Sequence, residues 1–430
     1  MALTGRLVLA AGVGAVVCGL LPGPATFLAV LAVLLVGVVA DVVLAAPVSA
    51  LRLRRSGDAA VRLGGSATVE LVVANPGRRA LRALVRDAWP PSAGAAPSRQ
   101  RITVPPGERR RLTTTLTPTR RGDRRADRVT VRSFGPLGLA ARQGSHDVPW
   151  TVRALPPFTS RRHLPSRLAR LRELDGRTAV MVRGQGTEFD SLREYVIGDD
   201  VRSIDWRATA RAADVVVRTW RPERDRQVLI VLDTGRTSAG RVGDAPRLDT
   251  AMDAALLLGA LAARAGDTVG LLAYDRTVRA QAGGAGRGNL LPSLVHAMAP
   301  LEPELVETDV RGMVAAVLAR ATRRSLVVLF TGLDPAIVTE GLLPGLPALL
   351  TRHTVIVAAV ADPRVDELAA DRSDAAAVYA AAAAERARAE RRTAAAQLTR
   401  RGVTVVDEPP ERLAPAVADA YLALKAAGKL

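Results

Sequence analysis

The stretch Gln227-Val228-Leu229-Ile230-Val231-Leu232-Asp233-Thr234-Gly235-Arg236-Thr237 decides the fold of the larger part of the chain. An unbroken apolar run that ends in Asp-Thr-Gly is the pattern of a strand buried on both faces and opening into a polar loop. Four more such runs follow, Thr268 to Tyr274, Ser325 to Phe330, Thr354 to Val360 and Val403 to Val406. Amphipathic or Ala-rich stretches at about 247–265, 289–299, 308–322, 335–350, 364–399 and 411–427 alternate with them and predict helices. Strand and helix in alternation predict a doubly wound parallel sheet over 227–430, with any ligand beyond the carboxyl ends of its strands.

Outside that region the composition narrows the chemistry. Of 430 residues, 48% are hydrophobic and 24% charged, enough apolar surface for two or three folded domains. Cys18 is the sole cysteine, which excludes an internal disulfide framework and any Cys-based zinc site. His146, His163, His296 and His353 share no metal-binding spacing, and the lysines, Lys425 and Lys429, lie too far along the chain for a phosphate-binding GxxxxGK[ST] loop. A GxSxG nucleophile motif is also missing, so the chain reads as a non-enzyme. Gly283-Gly284-Ala285-Gly286-Arg287-Gly288 reads as a turn rather than a phosphate loop.

Residues 1–50 read as a transmembrane hairpin. From Leu7 to Ala46 the sequence is almost wholly apolar with Asp41 its only charge, and Pro22-Gly23-Pro24 breaks it once. The two passes, about 15 and about 22 residues, compare with the ~20 that span the hydrocarbon. Arg6 before the first pass and Arg52, Arg54 and Arg55 after the second put both ends on the cytoplasmic side of a two-pass membrane protein. Asp41 is expected near that face, within reach of the headgroups.

Residues 51–158 form short alternating runs separated by Asn75-Pro76-Gly77, Pro105-Pro106-Gly107 and Gly135-Pro136, the signature of a small antiparallel β-sandwich. Charge concentrates here. Of the net +18, residues 51–160 hold 21 arginines against 7 acids, a net of +14, whereas 161–430 holds +4. Beside a membrane this favours anionic lipid headgroups over nucleic acid, since aromatics for base stacking are scarce.

The connector, 159–226, carries the densest mixture of charge and aromatics: Gly186-Thr187-Glu188-Phe189, then Arg193-Glu194-Tyr195, Gly198-Asp199-Asp200-Val201-Arg202 and Asp205-Trp206-Arg207. Carboxylates and guanidiniums at this density can lock a loop, with Tyr195 and Trp206 packed beneath arginine planes, or can form a polar binding site. The run G-x-G-T-E-F-x-x-L-R-E-Y-x-x-G-D-D-x-R-x-I-D-W-R resembles bacterial domain-of-unknown-function family 58. Its members are membrane-anchored proteins with a von Willebrand factor A-like, Rossmann-like domain, often encoded beside MoxR-type AAA+ ATPases. The resemblance implies an α/β chain of two transmembrane helices, a sandwich and a doubly wound von Willebrand A-like domain at 227–430. It also implies a MoxR-type ATPase as partner, and binding residues at Gly186, Thr187, Glu188, Phe189, Arg193, Tyr195, Gly198, Asp199, Asp200, Arg202, Asp205 and Trp206.

Von Willebrand A domains hold a divalent cation on an Asp-x-Ser-x-Ser loop after their first strand, with a distant Thr and Asp. By that resemblance Asp233, Thr237 and Thr308 would be ligands for Mg2+ or a similar cation. The set is degenerate, because Gly235 has no hydroxyl and Gly332 stands where an aspartate is expected; Asp334 lies two residues on. The expected function is a protein-interaction scaffold in assembly or remodelling of another complex. Two alternatives stand beside it: an enzyme using Glu188, Asp190, Glu194, Asp199, Asp200 and Asp205, and an anionic-ligand or nucleic-acid binder.

Overall fold

The strand Gln227–Asp233 lies inside a six-stranded sheet and is buried from Val228 to Asp233. The computed structural model describes residues 2–430 except 182–187, 198, 213, 222–225 and 284–288, and gives only the backbone at 175–181, 188–191 and 219–221. It is a mixed α/β chain in two compact units, Met1–Pro157 and Phe158–Leu430.

In the second unit, Gln227–Asp233 pairs in parallel with Thr268–Tyr274 on one side and Ser325–Phe330 on the other. Thr354–Val360 and Thr404–Glu408 extend the sheet in parallel, and Val278–Gly283 closes the opposite edge as an antiparallel strand. Counted from Gln227–Asp233, the order is 3-2-1-4-5-6, so it reverses between the first strand and Ser325–Phe330. Such a reversal splays the loops at the carboxyl ends and leaves a crevice.

Alternation along each strand sends side chains to two covered faces. Leu229, Val231, Val327, Leu329, Val355 and Val357 share a core with the helices Val310–Arg320 and Leu343–Leu350. On the other face Gly259, in the helix Arg247–Arg264, leaves room for Leu294 of the helix Leu290–Met298: a Cβ there would stand 2.9 Å from the Leu294 side chain. The stretch 364–399 is two helices, Pro363–Ala370 and Ala375–Arg400. The break is local polar chemistry: Asp371 accepts from the Ser373 N–H at 2.9 Å, and Asp374 caps the second helix through the Ala377 N–H at 2.7 Å.

The first unit begins with α1, Gly5–Leu20, and α2, Pro24–Leu44, which pack together across Gly14 and Val30. Pro24 opens α2 at a position whose N–H has no intrahelical partner. The segment Pro24–Ala50 is long and apolar enough to cross a membrane, whereas α1 is apolar but shorter. Most of their large side chains, among them Leu9, Val13, Phe27, Leu31 and Val36, are exposed. Next come antiparallel sheets of five and four strands and a three-stranded sheet, and Leu71, Val73, Val85, Leu112, Val129 and Val131 share one core. The Asn-Pro-Gly turn is fastened by Asn75, which accepts from the Gly77 N–H at 3.1 Å and donates to the Val104 carbonyl at 3.0 Å.

Two expectations for this unit change. Arg55 is not a membrane flank: its buried guanidinium pairs with Asp87 and lies 5.5 Å from the Trp89 ring. Asp41 does not reach outward to headgroups. Its side chain is wholly buried and accepts the backbone N–H of Leu137 at 2.8 Å, of Ala140 at 3.0 Å, and of Leu139. A carboxylate in an apolar helix is costly unless paired, and these three donors on the Gly135–Ala140 loop supply the pairing.

Candidate functional site

Asp233 ends the first strand at the point where the strand order reverses, and its carboxylate gathers residues distant in sequence. Oδ1 accepts the Gly235 N–H at 2.8 Å and the Thr308 hydroxyl at 2.6 Å. Oδ2 accepts the Thr331 hydroxyl at 2.6 Å and the Thr237 hydroxyl at 3.3 Å. Beside it the Thr234 hydroxyl donates to Asp275 at 3.1 Å, and Asp275 also accepts the Thr277 N–H at 3.2 Å. The three residues expected from the sequence, Asp233, Thr237 and Thr308, therefore do meet. Thr331 completes the set; its signal was its place immediately after a buried strand, in the Phe330-Thr331-Gly332 turn.

This donor set does not fit a hard divalent cation as it is folded. The two oxygens of Asp233 already accept four hydrogen bonds, which uses the lone pairs a carboxylate has. A cation would add no second carboxylate from this cluster, because Asp334 is exposed and Asp309 accepts from the Gly312 N–H at 3.0 Å as the cap of its helix. Among the described residues no group of three His, Cys, Asp or Glu side chains could hold a metal. At Gly235 a Cβ would stand 2.1 Å from the Thr308 hydroxyl, so the space that a serine would need is occupied. Arg236 does not pair with Asp233 either; it reaches Glu307 at 2.6 Å.

The signature forms a second cluster. Its strands Glu188–Glu194 and Val216–Arg221 make an antiparallel ladder, with Arg193 opposite Val217. Gly186, Thr187 and Gly198 lie outside the described residues, and Glu188 and Phe189 are placed by backbone alone. Three acids between the strands, Asp199, Asp200 and Asp205, serve the local chain. Asp199 accepts from Arg193 at 2.6 Å and from the Val196 N–H at 2.9 Å. Asp200 accepts the Arg202 N–H at 2.9 Å. Asp205 caps the turn Trp206–Thr209 through the N–H groups of Arg207 and Ala208, both at 3.0 Å, and takes the Arg218 guanidinium at 2.7 Å.

These pairings set the electrostatics. The Arg218 hydrogen bond, helped by the turn's N–H groups, holds the Asp205 carboxyl below the usual carboxylate range, and Asp199 raises Arg193 above the usual guanidinium value. A general acid needs the opposite shift for a carboxyl. The apolar residues of the segment face outward: Ile197 is 96% exposed and Trp206 69%, with Val196 and Val201 exposed beside them in sequence. Trp206 is exposed, and among the described residues no arginine stacks on its indole.

A family model described as "Protein of unknown function DUF58" matches residues 191–402, from the signature through the last helix before the edge strand. Residues 191–402 belong to the DUF58 family. A second model, for the ASH domain of abnormal spindle-like microcephaly-associated, SPD-2 and Hydin proteins, matches residues 59–132, upstream of the DUF58 segment. The uncharacterized proteins Rv1480 of Mycobacterium tuberculosis and Mb1516 of Mycobacterium bovis are each 28% identical over 199 residues. That match covers 45% of this chain and 61% of each relative's length. Among solved structures, the CARDB domain of a Pyrococcus furiosus protein is 19% identical, over 24% of this chain and 86% of its own, at a TM-score of 0.18. The ASH/PapD-like domain of human CEP192 is 11% identical, over 24% and 84%, at the same score. Scores that low carry no argument about this chain.

Proposed function

We propose that this DUF58 protein is a two-pass membrane anchor presenting cytoplasmic domains as a protein-interaction scaffold. Its partner is a MoxR-type AAA+ ATPase, as the family resemblance implies, and the pair assembles or remodels another complex. One observation carries the interaction reading: the signature spends Asp199, Asp200 and Asp205 on its own backbone and arginines and leaves Ile197, Trp206, Val196 and Val201 exposed. Isolated apolar residues on a surface are ordinary, but a run of large ones within one short motif marks a contact surface.

Further observations support the rest of the reading. Helices apolar all round, with their side chains exposed, suit a lipid environment. A strand order of 3-2-1-4-5-6 with one antiparallel edge supports a von Willebrand A-like arrangement, and two antiparallel sheets over one core support a β-sandwich before it.

Crosslinking in membranes followed by detergent capture of the full chain tests the proposal. Recovery of a MoxR-type ATPase, reduced by Trp206→Ala together with Ile197→Asp, is the expected result. Capture of no such ATPase, or capture unchanged by both substitutions, overturns it.

A further inference from the structure

The last turn of α2 leaves its carbonyl groups without intrahelical donors, as every helix end does. Two arginines supply donors, Arg142 from the strand Ala140–His146 and Arg79 from the turn that follows Asn75-Pro76-Gly77. Arg142 donates through Nε to the Val42 carbonyl at 2.7 Å, and Arg79 donates to the Val43 carbonyl. A third, Arg6, begins α1 and reaches the Leu137 carbonyl at 3.4 Å. All three therefore stand at one level around Asp41, whose carboxylate binds the N–H groups of Leu137, Leu139 and Ala140. That level is fixed to the sheets a second time, because Ala2 and Leu3 pair with Ala141 and Ala140.

Each guanidinium has five N–H donors and spends one on a carbonyl here. Among the described residues none of the three has a carboxylate partner, and Asp41, the acid at their centre, is buried and satisfied by backbone. Arg6 and Arg79 are exposed, Arg142 is half-buried, and Leu137 beside Arg6 is an exposed apolar side chain. The level is also where the uncharged stretch of α2 ends. Guanidiniums at the edge of an apolar span, with donors free and an apolar side chain among them, match the phosphate of a lipid headgroup above its acyl chains.

We infer that Arg6, Arg79 and Arg142 form a defined binding site for the headgroup of an anionic phospholipid. The inference rests on the membrane-anchor reading above and goes beyond it. Diffuse attraction by a basic domain would involve all its arginines alike, whereas this site uses three that tertiary contacts hold in place.

The test uses the full chain purified in mild detergent and in nanodiscs of mixed zwitterionic and anionic phospholipid, with retained lipid measured by native mass spectrometry. Selective retention of anionic lipid is expected, falling about fivefold for Arg6→Gln and on the order of a hundredfold when Arg79→Gln and Arg142→Gln are added. The exposed strand residues supply the control: Arg99→Gln with Arg101→Gln and Arg109→Gln should leave retention unchanged. Equal retention by wild type and the triple variant overturns the site, as does equal loss in the control. Should the triple variant not fold, Arg6→Gln alone decides, because Arg6 satisfies no carbonyl of α2. Displacement of the bound species by excess inorganic phosphate would show a free-anion site and overturn the lipid assignment. Alkaline carbonate extraction separates the two readings: release of the chain defeats the membrane anchor itself, whatever the lipid result.

Discussion

The Thr308 hydroxyl donates to Asp233 Oδ1 at 2.6 Å, across 75 residues of sequence. With Thr331 on the other oxygen, it ties the loops after the first and fourth strands and the segment before Val310–Arg320 to one buried carboxylate. The arrangement fills the crevice at the strand reversal with hydroxyl donors to that carboxylate.

Removing one tie should cost stability without changing metal response. Thr308→Val deletes a hydrogen bond to a charged group, worth about 1.5–3 kcal/mol. For a unit of this size that is a fall in Tm of roughly 3–10 °C, read by calorimetry on the detergent-solubilised chain. Addition of Mg2+ or of EDTA should leave the wild-type Tm where it was. A rise with Mg2+ would mean that the carboxylate opens to a cation.

Restoring the missing hydroxyl should harm rather than help. In Gly235→Ser the new Cβ falls 2.1 Å from the Thr308 hydroxyl, so either that hydrogen bond breaks or the loop moves. Overpacking of this kind costs about 1–3 kcal/mol. The substitution is expected to lower Tm and to confer no Mg2+ binding by isothermal titration; stability equal to wild type would refute the steric account.

Asp41→Ala leaves three backbone N–H groups of the Gly135–Ala140 loop without their acceptor, at about 1–3 kcal/mol for each group that water cannot reach. Faster amide hydrogen exchange at Leu137, Leu139 and Ala140 is expected, with α1 and α2 still membrane-embedded. Exchange rates unchanged at those three positions would show that Asp41 does not hold the loop.

Asp267 gives a pH signature. It is buried, accepts from the Tyr421 hydroxyl and from Lys425 Nζ at 3.2 Å, and burial pushes its carboxyl above the usual range despite the opposing pull of Lys425. A raised folded value means that the folded chain holds the proton more tightly than the unfolded chain. Its stabilising contribution is complete below the unfolded carboxylate pKa, about 3.9, and is lost as pH rises through the higher folded value. Relative to Asp267→Asn, the wild type should lose Tm with rising pH across that window; a gap between the two that is flat in pH would contradict the shift.

The α/β region was legible because its strands are buried on both faces. Thr268–Tyr274, Ser325–Phe330 and Thr354–Val360 are uninterrupted apolar runs, and their boundaries are those expected. Val278–Gly283 escaped notice as a sheet strand because an exposed edge needs no apolar run: after Val278 its residues are polar or small, and pairing with Thr268–Tyr274 alone defines it. The site was half legible. Asp233, Thr237 and Thr308 are marked by the family resemblance, but Thr331 is not, since only the parallel register of Ser325–Phe330 against the first strand brings it to Oδ2.

The sequence by itself determined the buried strands, the apolar helices and where the charge lies, because burial pattern and composition are local properties of the chain. Tertiary structure decided what the charged residues do. Asp41 became the acceptor for a loop about a hundred residues away, Arg55 a buried partner of Asp87, and Asp205 a cap held by Arg218. A carboxylate's role depends on which donors come within about 3 Å of it, and that proximity exists only after distant segments have packed together.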